Sequence, residues 1–172
     1  VTTSDALLEL FARPLLGAIG PNDGGAHHGL GERSEHVADP RSQALVQNFT
    51  GQWLNIRGIA ASEPVVNLFP DFDSTLRDAF RREVELFFAS IIQEDRSVED
   101  LLTADYTFVN ERLARHYGIP GIYGPQFRRV TLDNPRRFGL MGKGAVLLRT
   151  SYGDRTSPVL RGAWVMGKLM GT

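Results

Sequence analysis

The chain has 172 residues, 42% of them hydrophobic, with 19 basic and 20 acidic side chains and a formal net charge of −1. That composition supports a core without covalent staples and argues against a broad nucleic-acid footprint, which needs a clear basic excess. No apolar run approaches the roughly 20 residues of a membrane span, and the lack of cysteine removes disulfides, thiolate metal sites, thiol nucleophiles and covalent haem attachment from this stretch.

The opening residues, VTTSDALLEL, have no basic segment followed by an apolar run, so they do not read as a signal peptide; a mature or excised fragment has the same appearance. Ser4 caps a predicted short helix over residues 4–11, with Leu7, Leu8, Leu10 and Phe11 as its apolar stripe and Pro14 as its stop. Residues 17–39 are rich in glycine and polar side chains and carry no period, which predicts a long loop or linker. Loops of that length are uncommon in compact domains, so the segment is expected to wrap a surface or to mark omitted chain.

Asp39-Pro40 restarts order as an N-cap and a first-turn proline. The helix that follows runs to about Ile56, with Leu45, Phe49, Trp53 and Ile56 on one face and Gly58 as its end. Residues 60–73 read as extended and proline-punctuated. Asp71 or Asp73 then caps the strongest helix, to about Gln93. Its apolar face is Leu76, Phe80, Val84, Phe87, Phe88 and Ile91, and Arg77, Arg81, Arg82, Glu85 and Glu94 take the other side.

Ser97 and Asp100 have the spacing of a capping box, which predicts a short helix through Leu102. Another helix is expected over 107–117, with Phe108, Leu113 and Tyr117 inward and Gly118 as a left-handed terminator. Residues 126–132, QFRRVTL, alternate weakly and read as a short strand, for which little partner is available. Residues 138–148 read as helical despite Gly142 and Gly144, which suit close packing. A last helix spans 158–170 and closes at Gly171. Trp53 and Trp164 are expected core anchors. The fold class is mostly α, a compact multi-helix domain with at most one short two-stranded sheet. Three regions are expected: 1–38, a short helix with the flexible segment; 39–134, a first helical module; and 135–172, a second module cut short at its end.

The candidate functional element is RTSPVLRG. Ser157 is a good N-cap, and Pro158 suits the first helical position. A helix start offers free N–H donors and partial positive charge, so Arg155, Thr156, Ser157 and Arg161 are candidates for holding a carboxylate, phosphate or sulfate. The plainer alternative is that Ser157 only caps and the arginines pair with Asp154 or other acids. His27, His28 and His36 share the flexible segment and are weak candidates for a metal or haem ligand, since their spacing matches no metal signature. His116 sits near a helix C-terminus, where positive charge is favoured. Glu83, Glu85, Asp95, Asp100, Asp105 and Glu111 form no paired acid–base set; Asn110 and Glu111 read as capping and pairing with Arg112 or Arg115. No nucleophile elbow, P-loop or dinucleotide fingerprint is present, and Gly142-Lys143-Gly144 is too short for a phosphate cradle.

DPRSQALVQNFTGQWL (39–54), LFPDFDSTLRDAF (68–80), DRSVEDLLTADYTFVNERLARHYGIPG (95–121), FRRVTL (127–132) and RTSPVLRGAW (155–164) occur in the order found in one family. Residues 39–172 resemble the paired domains of unknown function in large planctomycete-type, cytochrome-associated secreted proteins. Departures are the lack of a haem-attachment motif, the end at Thr172 before any proline-rich continuation, and a segment before Asp39 unlike the helical region expected there. The resemblance implies a periplasmic or extracytoplasmic location and a parent carrying c-type haem on another segment, with no cofactor in this chain. It carries over no catalytic residue. The function it implies is a non-catalytic helical scaffold that contacts other domains of the same parent, including a cytochrome c-like domain, and possible redox partners; neither nucleic acid nor a membrane span is expected. Alternatives are part of a haem-dependent oxidoreductase, with the haem elsewhere, or an anion or sugar-acid binding module.

Overall fold

A computed structural model describes residues 40–171 of the chain, and these fall in one unit. The expected helix at 4–11, the glycine-rich stretch 17–39 and His27, His28 and His36 lie outside the described residues. Helix α1 spans Pro40–Trp53. It ends before Ile56 because Asn55 turns left-handed (φ 55°), and Gly58 lies inside the short 3-10 helix Ile56–Ala61 that follows.

Helix α2, Ser74–Gln93, is the axis of the core. Asp73 starts it: the Leu76 N–H donates to its side chain at 2.7 Å, satisfying one orphan donor of the first turn. All six predicted apolar positions are buried, each contributing roughly 1.5–3 kcal/mol of transfer free energy. Glu85 departs from expectation. It is buried rather than solvated, because Arg81 and Arg82 fold over it at 2.8 and 3.1 Å.

The capping box does not form. Ser97 accepts from the Glu99 N–H, while Asp100 pairs with Arg96 at 2.7 Å, leaving helix α3 (Asp100–Thr103) as a single turn. Residues 107–109, read as the start of a helix, instead belong to strand β1 (Tyr106–Val109). Tyr-Thr-Phe-Val is all β-branched or aromatic, and a partner strand overrides the helical reading. That partner is β2 (Arg128–Thr131), antiparallel, with Tyr106 opposite Thr131 and Val109 opposite Arg128. Phe108 is half-buried, and Tyr106 takes the inward place expected of it. Between the strands, helix α4 (Glu111–Tyr117) is capped by Asn110 and stopped by left-handed Gly118 (φ 71°).

Residues 138–148 form no single helix. Two 3-10 turns, Pro135–Arg137 and Leu140–Gly142, precede helix α5 (Gly144–Arg149). Helix α6 (Pro158–Val165) continues as a wider π-helical turn, Met166–Met170, to Gly171. Trp164 is buried and donates to the Leu54 carbonyl at 3.1 Å; half-buried Trp53 donates to the Lys168 carbonyl at 2.8 Å. The two indoles thus tie the C-terminal helix to the end of α1. The described residues are mostly α with one two-stranded sheet, as expected.

Gly142 and Gly144 serve close approach. A side chain at Gly144 would collide with the Phe80 ring, and one at Gly142 with the Arg137 backbone. Gly144→Ala is expected to destabilise the fold by about 1–3 kcal/mol through overpacking, measured by urea denaturation. Gly162→Ala, on α6 with open space around it, is expected to be neutral or stabilising by up to about 1 kcal/mol.

Candidate functional site

Every third or fourth residue of α2 faces the core, and Glu83 falls on that face between Phe80 and Phe87. It is only 1% exposed. A carboxylate there must be fully hydrogen-bonded. The Thr107 hydroxyl of β1 donates to Oε1 at 2.5 Å, and the Tyr117 hydroxyl, at the end of α4, donates to Oε2 at 2.6 Å. The Gly144 N–H, at the start of α5, points at Oε2 (3.4 Å) and at the Tyr117 oxygen (2.8 Å).

The counter-charge is Lys143, also 1% exposed. Its Nζ donates to the Tyr106 carbonyl at 3.0 Å and lies 4.3 Å from the centre of the Phe87 ring. Burial raises the Glu83 carboxyl above its usual range, opposed by the Lys143 ammonium and by the hydrogen bonds from Thr107, Tyr117 and Gly144. Burial likewise lowers the Lys143 ammonium to about 8, with Glu83 pulling the other way and Arg137 pushing it further down. The Tyr117 phenol is raised well above its ordinary value by burial and the Glu83 charge, so it remains a donor. Glu83 and Lys143 are therefore each satisfied by neighbouring groups and influence each other through charge, and neither lines the cleft described next.

Tyr117, Phe80 and Gly144 have a second side. They form the floor of an open cleft of about 400 Å³. Leu68, Phe69 and Phe72, before α2, make one wall, and Leu147, Leu148 and Tyr152 make the other. The walls are held together where the Val65 N–H donates to the Gly153 carbonyl at 2.8 Å. Polar groups enter from His116, Arg137, Asp71, Ser151, Arg155 and Thr156. Arg137 lies over the Tyr117 ring, 4.1 Å from its centre. His116 packs edge-on against Phe80 at 5.3 Å. Partial burial, then the charges of Arg137 and Arg112, hold its imidazole below the usual range, opposed weakly by Asp71. Partial burial, together with these two arginines, thus outweighs the favourable helix terminus expected from the position of His116.

Arg155 and Thr156 open onto this cleft. Arg155 pairs with Asp154 at 2.9 Å and stacks on Tyr152. Ser157 is buried and caps α6, accepting from the Leu160 N–H at 3.2 Å. Arg161 turns away from the cleft lining to the hydroxyls of Thr156 (3.2 Å) and Thr150 (3.4 Å). The four candidates are neighbours, but only two share the cleft. Asn110 caps α4, and Glu111 pairs with Arg115 at 2.9 Å. Arg112 reaches Asp73 and the Asp71 carbonyl instead. Among the described residues no group of three or more His, Asp or Glu side chains is placed to hold a metal ion, and no helix is long and apolar enough to cross a membrane.

Sequence reasoning missed Glu83, Lys143 and Arg137. The position of Glu83 was legible, three residues after Phe80 and four before Phe87. The glycines flanking Lys143 signal backbone crowding but not the burial of its ammonium. Nothing local distinguishes Arg137 from Arg136.

Comparison with known proteins assigns the chain to a class of uncharacterised domains. Residues 32–119, just over half of the chain, match the family described as PSD4, protein of unknown function (DUF1592), and the chain belongs to that family. Residues 137–172 match a second one, PSCyt3, protein of unknown function (DUF1588). These are the paired domains of unknown function of planctomycete cytochrome-associated proteins. No curated protein and no solved structure matches the chain.

Removing Lys143 leaves Glu83 buried without its counter-charge. Lys143→Met is expected to cost about 3–5 kcal/mol, and Glu83→Gln combined with Lys143→Met to recover much of that loss, read from denaturant midpoints. The unfolded chain holds the Lys143 proton up to about 10.5, whereas the folded chain releases it from about 8. Between those pH values the unfolded state binds more protons, so wild-type stability should rise with pH relative to Lys143→Met. Ser157→Ala should cost about 1 kcal/mol as the loss of a cap, seen as a lower thermal midpoint.

Proposed function

We propose that this chain is a non-catalytic helical scaffold within a larger extracytoplasmic, cytochrome-associated protein. The observation that carries this reading is how its two family segments pack. The second segment supplies Lys143 and Gly144 to the polar cluster around Glu83 of the first, and Trp164 to the carbonyl of Leu54. Two adjacent modules joined through a shared core hold a fixed geometry, which suits a body that positions neighbouring domains.

The c-type haem belongs to another segment of the parent. The chain has no cysteine to attach one, so no step through haem is assigned to these residues. The partner is a cytochrome c-like domain of the same parent, with redox partners reached through that domain. The extracytoplasmic location rests on the family resemblance alone.

Cross-linking mass spectrometry on the natively purified parent, with its visible absorbance recorded, tests the proposal. Links from this region to a haem-bearing segment are expected. In addition, Lys143→Met in the parent should loosen those links while leaving the haem spectrum unchanged. A parent without haem absorbance, or redox turnover by the isolated chain, would overturn the reading.

A further inference from the structure

We propose that the cleft floored by Phe80 and Tyr117 is a binding site for a small monocarboxylic acid with an apolar body, its carboxylate held by Arg137. Three observations converge on that chemistry. The first is the cation. Arg137 is half-buried over the Tyr117 ring, and among the described residues no carboxylate forms an ion pair with it. A guanidinium presents paired donors that match a carboxylate in a bidentate fork. Its charge also reaches the cleft, adding to burial in lowering the His116 imidazole below its usual range.

The second is the body of the ligand. Phe72, Phe80, Leu147 and Leu148 line the space, and three of the four lining hydroxyls are already engaged, the fourth being the exposed phenol of Tyr152. Tyr117 donates to Glu83, Ser151 donates to the Leu147 carbonyl at 2.7 Å, and Thr156 accepts from Arg161. A hydroxyl-rich sugar acid would bury more polar groups than this lining can pair, at a cost of about 1–3 kcal/mol for each one left without a partner. A hydrocarbon or aryl body meets no such penalty.

The third is size and charge. A volume of about 400 Å³ lies in the range of small-molecule sites, roughly 300–1,000 Å³. Among the described residues Asp71 is the one carboxylate lining the cleft, and Arg155 is already paired with Asp154. Among the described residues of the lining that leaves Arg137 as the guanidinium without an ion pair, beside one acid, which favours a monoanion over phosphate or a dianion.

The site stands apart from the scaffold role. A chain that fails to bind the acid still docks a neighbouring domain, and a chain that binds it need not. Isothermal titration of the full 172-residue chain with phenylbutyrate, phenylbutyramide, glucuronate and inorganic phosphate separates the cases. Phenylbutyrate is expected to saturate with a Kd at or below about 1 mM, and the other three to bind at least about tenfold more weakly. Arg137→Gln should weaken phenylbutyrate about tenfold or more, while exposed Arg136→Gln leaves it unchanged. The side-chain N–H resonance of Arg137 in the wild-type chain should shift with the acid and not with the amide, which keeps the test open if Arg137→Gln does not fold. Equal binding of acid and amide, tighter binding of glucuronate or phosphate, no binding of phenylbutyrate, or an indifferent Arg137 would each overturn the proposal.

Discussion

The buried carboxylate of Glu83 is the constraint around which this fold is arranged. It lies in the middle of the longest helix, out of reach of water, and each of its oxygens needs donors. Those donors come from three separate places, the Thr107 hydroxyl of the sheet, the Tyr117 hydroxyl at the end of α4 and the Gly144 N–H, while the neighbouring Lys143 supplies an opposite charge. Two opposite charges buried near each other add little net stability, because desolvation offsets most of the attraction. Its effect here is on placement. The docking of residues 143–144 against α2 satisfies both the carboxylate and the ammonium, and Gly144 permits it by leaving room for Phe80.

That docking also makes the cleft. Phe80, Tyr117 and Gly144 face the polar cluster on one side and the open space on the other, so the floor inherits the rigidity of the cluster. One wall is irregular backbone, residues 64–72, the other is the end of α5 with the turn after it, and they meet through the Val65–Gly153 hydrogen bond. The division of labour is physical. The closed cluster holds its charges away from water and from ligands, while Arg137, lying over Tyr117, keeps its charge at the surface.

The two family segments meet in this same region. Residues 32–119 contribute Glu83, Thr107 and Tyr117, and residues 137–172 contribute Lys143, Gly144 and most of the far wall. Neither segment alone holds the complete cluster or the complete cleft.

The helices were legible because their signals are local. A 3.6-residue apolar period, caps at Asp73, Asn110 and Ser157, and left-handed glycines at 118 and 171 act within a turn or two of the chain. The family words were legible in the same linear way. Strand β1 was not, because four residues become a strand only when β2, about twenty residues on, supplies their hydrogen bonds. The single helix expected at 138–148 broke into turns because the backbone there had to fit closely against Arg137 and Phe80. Of the cleft, the sequence singled out Arg155 and Thr156 through a helix start, but Arg137 acquires its importance only by lying over Tyr117. Composition, period and caps by themselves determined a mostly α chain with a central helix. Which charges are buried, which pair and which cation remains open were decided only by tertiary packing, since burial and pairing depend on distances between residues far apart in the chain.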